Sequence, residues 1–427
     1  MYFGIAKDII TPPFNISLAC SGDFSKNFKY IHDDVFVRCL VIDDGNNKTV
    51  LMAFDILFHD RCLNFALEEY AKEKYGVDPS AFVVGSTHTH IGPASTGYNQ
   101  IYANKDYEAF MLERAKICLD RAMCSMFEGE IEHTTFEAFF NMSRRGLVNG
   151  KFGHYPNPER KRDTEFSLLI VKDLNGDVRS VVMDYGCHPV FYPTNDSIGG
   201  EFPARVCQLI DTNYYGCTSL YFQSAGGDVR PSAAVKDGVW VKPIPFSQLD
   251  IYAHDMANAV IKAVEQSNEK LNLNIASDSF VAELELDAKP LEFFEQKYEE
   301  LKKYGLGHIT CLNAHHIVVE GGYKNLKNTL DLHCQAIRLT DDLYIATIGG
   351  EPTYPVKELV KEIFNDKKVI FIGYTDCCAY IASDYEIDEG GYEGRDFHIE
   401  YRLIGPIKKS IDQKLRNGYT ACLDKLN

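Results

Sequence analysis

Short β-branched runs alternate with amphipathic helical stretches from one end of this 427-residue chain to the other. That alternation requires helices packed on sheets and argues against separate all-α and all-β domains. The pattern predicts strands over 35–43, 49–55, 81–85, 166–172, 179–184, 219–223, 279–286, 343–348 and 368–373. It predicts helices over 60–75, 104–126, 247–269, 291–304, 355–365 and 405–423. A weak seam lies at 268–277 (NEKLNLNIAS), but no repeat, low-complexity tract or Pro/Ser-rich linker divides the chain. The expectation is one α/β domain over residues 1–427, with mixed β-sheets flanked by helices.

Composition narrows the partners. With 45% hydrophobic and 25% charged residues the chain can bury a large core. Lys and Arg number 44 against 61 Asp and Glu, a net charge of −17 with the acidic residues scattered. Nucleic acid and anionic membrane surfaces both demand a basic footprint, so neither is expected as a partner. No run has transmembrane length, and the opening MYFGIAKDIITPP lacks the basic and then apolar run of a signal peptide, which points to the cytoplasm and to no stable membrane anchor. The 13 cysteines sit in apolar runs, as Cys39 and Cys207 do, or in predicted helices, as Cys118 and Cys124 do. They read as reduced core residues. No Cys-x-x-Cys pair offers a thiolate site, and the adjacent Cys377 and Cys378 are poorly placed to bridge or chelate together.

Polar residues interrupt the apolar strands at telling places. AFVVG runs into STHTHIGP (86–93), SVVMDYG into CHPVFYP (187–193), SLYFQ into SAGGDVRPS (224–232), LYIATI into GGEPTYP (349–355), and KVIFIGY into TDCCAYIASDYE (375–386). In α/β proteins ligands bind at the carboxyl ends of strands, so these endings predict one shared site. If the His-Thr-His segment is extended, His88 and His90 project to the same side. A catalytic zinc takes three protein ligands of His, Asp or Glu type and keeps a place for water, whose pKa it lowers to about 7. His88, His188 and Glu351 supply such a set; a hydrogen-bonded structural role for each His is the competing reading.

FGIAKDIITPP (3–13), IHDDVFVRCLVIDDG (31–45) and GSTHTHIGP (85–93) together resemble the amino-terminal catalytic domain of the neutral and alkaline ceramidases. The resemblance continues in the same order through NMSRRG (141–146), CHPV (187–190), AGGDVRPS (225–232), GGEPT (349–353) and AYIASDYEIDEGGYEG (379–394). It implies one Zn2+ per chain, held by His88, His188, Glu351 and Tyr380. It also implies that His90 and Arg144 face the substrate, with His90 passing a proton to the leaving amine and Arg144 stabilising the oxyanion or holding an anionic group. The implied reaction is hydrolysis of a carbon–nitrogen amide bond in a small or lipid-like molecule.

The chain also departs from that family. Where ceramidases carry Ser in a Gly-Asp-Val-Ser-Pro element, this chain has Arg230 in GGDVRPS. No serine nucleophile acts from there, so the metal-activated water carries the chemistry, and Arg230, with Gly227, is a candidate substrate contact suited to an anion. The chain ends at residue 427, without room for the further carboxyl-terminal β-sandwich of ceramidases, which makes a soluble N-acyl amide at least as fitting a substrate as ceramide. Two alternatives stay open: a metallo-esterase or other metallohydrolase, and a catalytically silent binding protein on the same fold. His315 and His316, read as strand neighbours, point to opposite faces and serve no common metal. Asp228 is expected to organise its turn, which Gly226 and Gly227 allow by backbone freedom, and DYEIDEGGYEGRD (384–396) reads as a solvated acidic loop.

Overall fold

A computed structural model describes residues 1–20, 26–95, 104–194, 196–376 and 379–426. It is built on two large sheets. The first has eight strands in the order Leu220–Gln223, Val178–Tyr185, Glu165–Asp173, Phe127–Glu137, Tyr2–Ile9, Phe36–Asp43, Lys48–Phe54 and Phe82–Ser86. The second has four, in the order Ala276–Glu285, Thr329–Arg338, Leu343–Ile348 and Lys368–Ile372. Both sheets are mixed: each carries parallel pairs beside antiparallel ones.

The side-chain period of two sorts each strand between two cores. Cys39 and Val41, with Val50, Met52 and Phe54, share a core with helices Arg61–Tyr75 and Lys105–Cys124. Their neighbours Leu40, Ile42, Leu51 and Ala53 share a different core with Ile337, Leu343, Ile345 and Ile370 of the second sheet. The far end of the eight-stranded sheet buries Leu168, Ile170, Val181 and Met183 with Phe202, Val206 and Ile210 of helix Glu201–Asn213 and Met256 and Val260 of helix Phe246–Gln266. The outer face of the four-stranded sheet packs Leu332, Cys334 and Ala346 with Val356 and Val360 of helix Tyr354–Ile363 and Leu415 and Tyr419 of helix Ile411–Leu426. The order of layers is helix, sheet, sheet, helix. Strands buried on both faces read as continuous apolar runs, which is why VFVRCLVID and LYIATI are so plainly legible.

Differences from the sequence expectation have local causes. Helices Glu201–Asn213 and Ile309–Val318 and strands Tyr2–Ile9, Phe127–Glu137, Asn141–Val148, Lys151–Asn157 and Thr329–Arg338 are additional to those predicted. The last helix begins at Ile411 rather than 405, because the segment before it joins the body through an isolated bridge between Leu286 and Ile407. His315 and His316 lie on a helix, not a strand, and both turn to Glu320, at 3.3 and 2.8 Å. The segment read as a solvated acidic loop is instead the helices Asp384–Glu389 and Gly391–Gly394, with Glu386 and Glu393 buried against Arg145 and Arg160. These arginines lie more than 200 residues away in sequence, so local composition carries no sign of the neutralisation. Cys39, Cys118 and Cys207 are buried as expected, whereas Cys62 and Cys124 are exposed. Cys377 and Cys378 lie outside the described residues. At the seam Leu271 and Ile275 are buried in the core between the sheets, and the Leu271 N–H donates to Ile131 at 2.9 Å. Among the described residues no helix is long and apolar enough to cross a membrane.

Candidate metal centre and substrate pocket

Three parallel pairs aim their carboxyl ends at one place: Lys48–Phe54 with Phe82–Ser86, Val178–Tyr185 with Leu220–Gln223, and Leu343–Ile348 with Lys368–Ile372. Buried hydrogen bonds tie the loops that follow them. The Gln223 amide donates to the carbonyls of Thr87 (3.1 Å) and Cys187 (2.9 Å), and its oxygen accepts from the Cys187 N–H (3.1 Å). Gly373 N–H donates to Gln223 O at 2.8 Å, and Ser86 N–H to Tyr374 O at 3.2 Å. Gly227 N–H donates to Pro352 O at 2.9 Å, and a Cβ on Gly227 would stand 2.6 Å from the Glu351 carbonyl. Only glycine allows the two loops this approach. The need at Gly227 is therefore proximity and not an unusual φ, and the residue supports Glu351 from behind instead of lining the pocket.

The chain leaves strand conformation after Ser86, so His88 and His90 do not alternate as strand residues. His88 takes φ +67°, with its N–H on Ile56 O at 3.0 Å. Tyr192, Glu201 and Tyr374 also hold positive φ, at +46°, +49° and +57°. Non-glycine residues in this region are strained, and such strain gathers where function demands a fixed geometry. The left-handed turn still brings both rings to the pocket, with the His88 and His90 centroids 4.8 Å apart.

Each of three histidines anchors Nδ1 on a backbone carbonyl: His88 on Leu57 O (3.0 Å), His188 on Gly226 O (3.2 Å) and His90 on His88 O (3.1 Å). A carbonyl only accepts, so each Nδ1 carries a proton, and in a neutral ring Nε2 then presents a lone pair. The Nε2 atoms of His88 and His188 are 3.1 Å apart, and one nitrogen from each of His88, His90 and His188 lies within 4.8 Å of the others. Glu351 Oε2 stands 3.2 Å from His88 Nε2 and 3.7 Å from His188 Nδ1, buried and without a hydrogen-bond donor. Its other oxygen accepts from the Tyr401 hydroxyl. With neutral rings the Nε2 lone pairs gather beside an unbonded carboxylate oxygen, an arrangement that a cation relieves. Two nitrogens about 2 Å from a shared tetrahedral ion stand roughly 3.3 Å apart. The donor set suits a divalent metal with nitrogen and oxygen preference.

Tyr380 reaches this centre because Glu351 and Tyr380 are paired residues of a short parallel bridge, Glu351–Pro352 with Tyr380–Ile381. Its hydroxyl accepts from Arg144 Nη2 at 2.8 Å. Arg144, on strand Asn141–Val148, is 1% exposed and gives Nε to Glu393 at 2.7 Å. Glu393 also takes Arg145 (2.9 Å) and His154 (3.0 Å). Arg230 lies beside Arg144 in the same wall, on Val229–Pro231. The pocket encloses about 100 Å³ and is lined by His88, His90, His188, Arg144, Arg230 and Tyr380 among others.

Burial, with the neighbouring His88 and the Arg230 and Arg144 charges, holds the His90 imidazole well below its ordinary range. Burial and then Arg144, His88 and His90 do the same for His188. Both rings stay neutral, as metal or proton-transfer duty requires. Burial pushes the Tyr380 phenol well up, against the opposing pull of Arg144. Burial alone would raise Glu393, but Arg144, His154 and Arg145 more than offset it and hold the carboxyl well below the usual range.

Several pocket residues escaped the sequence reading. Glu201 accepts from the N–H groups of His90 (2.8 Å), Phe191 (2.9 Å) and Tyr192 (3.2 Å), fixing two site loops at once. Its signal was present, since Gly199-Gly200-Glu201 repeats the Gly-Gly-Glu of 349–351. Tyr401 carries no comparable pattern, and Glu393 lies in the 379–394 element, within the stretch that was read as a solvated loop. Asp228, expected to organise its turn, reaches further: it accepts the Tyr354 N–H at 3.0 Å, and its carbonyl accepts the Arg144 N–H at 2.8 Å.

A buried group of three histidines beside a carboxylate, at the strand ends of a two-sheet α/β scaffold, defines a candidate metal pocket. No family model matches the chain. Among solved structures it resembles the neutral ceramidase from Pseudomonas aeruginosa, with a TM-score of 0.76 at 15% identity over 98% of this chain and 74% of that one. It also resembles a ceramidase complexed with C2, with a TM-score of 0.76 at 16% identity over 100% of this chain and 75% of that one. The likeness is one of fold, and it matches the mixed α/β architecture expected from the sequence.

Proposed function

We propose that the protein is a zinc-dependent hydrolase that cleaves the carbon–nitrogen bond of an N-acyl amide. The observation that carries this reading is the convergence of donor-free lone pairs: His88 and His188 Nε2 at 3.1 Å, with the orphaned Glu351 Oε2 at 3.2 Å from the former. In this reading His88, His188 and Glu351 hold the metal, and Tyr380 completes its surroundings. Zinc so bound supplies a Lewis acid and lowers the pKa of water enough for attack at neutral pH.

The remaining work falls to the chain's own residues. Neutral His90, with Nδ1 engaged by the His88 carbonyl, offers Nε2 to accept a proton and return it to the departing amine. Arg144, held by Glu393 and Tyr380, presents a fixed positive charge beside the reacting carbonyl, which stabilises negative charge developing on its oxygen. Because these partners fix the guanidinium before substrate arrives, little reorganisation accompanies reaction. The likeness in fold to ceramidases supports an amide over an ester as the bond cleaved.

The test joins metal content to activity. Purified protein is expected to hold about one zinc per chain and to hydrolyse N-acyl amides. His88→Ala is expected to lose the metal and at least about 1,000-fold in kcat/KM, since removal of a ligand abolishes the Lewis acid. A wild-type protein that hydrolyses amides equally well after complete metal removal would contradict the reading.

A further inference from the structure

Arg230 is a charge in this pocket that the protein leaves without a partner. Among the described residues it makes no ion pair or hydrogen bond, its Nε is buried and unbonded, and its guanidinium rests 5.5 Å from the Trp240 ring. Arg144, next to it in the wall, has Glu393 at 2.7 Å and Tyr380 at 2.8 Å. A guanidinium in an enclosed site is unfavourable until a counter-charge arrives, and its planar fork matches a carboxylate with two parallel hydrogen bonds.

Arg230 lines the same small cavity as His90, the group assigned to the leaving amine. The small cavity, about 100 Å³, accommodates a compact polar head and leaves a long acyl chain to extend outward.

We propose that Arg230 binds a carboxylate on the amine half of the substrate, so that the enzyme's substrates are N-acyl amino acids. This rests on the amide-hydrolase reading above. In the reaction the acyl carbon–nitrogen bond breaks and a carbon–oxygen bond forms from water. Both water protons end on the departing nitrogen, giving a fatty carboxylate and a zwitterionic amino acid with no change in oxidation state.

The test compares N-octanoylglycine with its neutral counterpart N-octanoylglycinamide on the zinc-loaded protein, by hydrolysis and by calorimetric binding. Wild type is expected to favour N-octanoylglycine at least about 100-fold in kcat/KM, because the guanidinium, with its buried Nε, is left unpaired by the neutral compound. Arg230→Met is expected to bring that ratio below about threefold and to weaken N-octanoylglycine binding by about 30-fold or more; Arg230→Lys, which keeps the charge without the fork, falls between. If both compounds are hydrolysed with equal efficiency, the carboxylate proposal fails while the hydrolase reading stands. If N-octanoylglycine binds in an Arg230-dependent way and is never hydrolysed, carboxylate recognition stands and the hydrolase reading fails. Failure of N-octanoylglycine to bind or react overturns the proposal.

Discussion

Charge at the pocket is settled by individual partners. Glu393 is 2% exposed and receives Arg144, Arg145 and His154, so it neutralises two buried guanidiniums at once. Glu393→Gln leaves Arg144 without its carboxylate, while Arg145 keeps Glu386 and Glu389, and removal of one member of a buried ion pair costs about 3–5 kcal/mol. The variant is expected to lose about that much stability at neutral pH in denaturant unfolding. Because the folded carboxyl titrates well below its ordinary 4.5, its contribution is complete above that pH and disappears as acid carries the pH down through the folded value. Wild type and Glu393→Gln should therefore converge in stability on acidification. A difference that stays constant from neutral pH to strong acid would contradict the electrostatic account.

Loops, not single residues, deliver the candidate ligands, and Gln223 is the side chain that binds several of them together. It satisfies three buried backbone groups, two carbonyls and one N–H, on loops that carry His88 and His188. Gln223→Ala strands all three at about 1–3 kcal/mol each before relaxation, and loosening of the support behind metal-binding histidines lowers affinity by about 10–100-fold. Competition with a coloured chelator measures the second effect; unchanged zinc affinity would sever the link between loop tethering and the centre. Elements of this kind were partly legible in the sequence. Strands such as Phe82–Ser86 and Leu343–Ile348 lie between two cores, so their unbroken apolar runs and abrupt polar endings announced both strand and site. Thr329–Arg338 carries polar, mostly half-buried side chains at alternate positions, and its Asp331, His333 and Gln335 hid it from a search for continuous apolar runs. His88, His188, Arg144 and Tyr380 were candidates because each follows or accompanies a recognisable motif, and the four line one pocket. Tyr401, Glu201 and the burial of Glu393 depend on contacts between distant segments, which no local pattern encodes.

At the scale of the whole molecule, the four layers hold residues 88, 188 and 351 in one place although they come from different sheets and from segments far apart in the chain. A metal that joins both sheets stabilises the native state by mass action, by about 4 kcal/mol when free zinc exceeds its Kd about 1,000-fold. Chelation is accordingly expected to lower the thermal midpoint, and added zinc to restore it; a midpoint indifferent to both would show that no metal bridges the layers. The most direct test of the central claim is anomalous diffraction from crystals of the zinc-loaded protein, at energies on either side of the zinc edge. The account predicts one strong peak per chain, about 2.0–2.2 Å from His88 Nε2, His188 Nε2 and Glu351 Oε2. A protein saturated with zinc whose only peak lies away from these three atoms would contradict it.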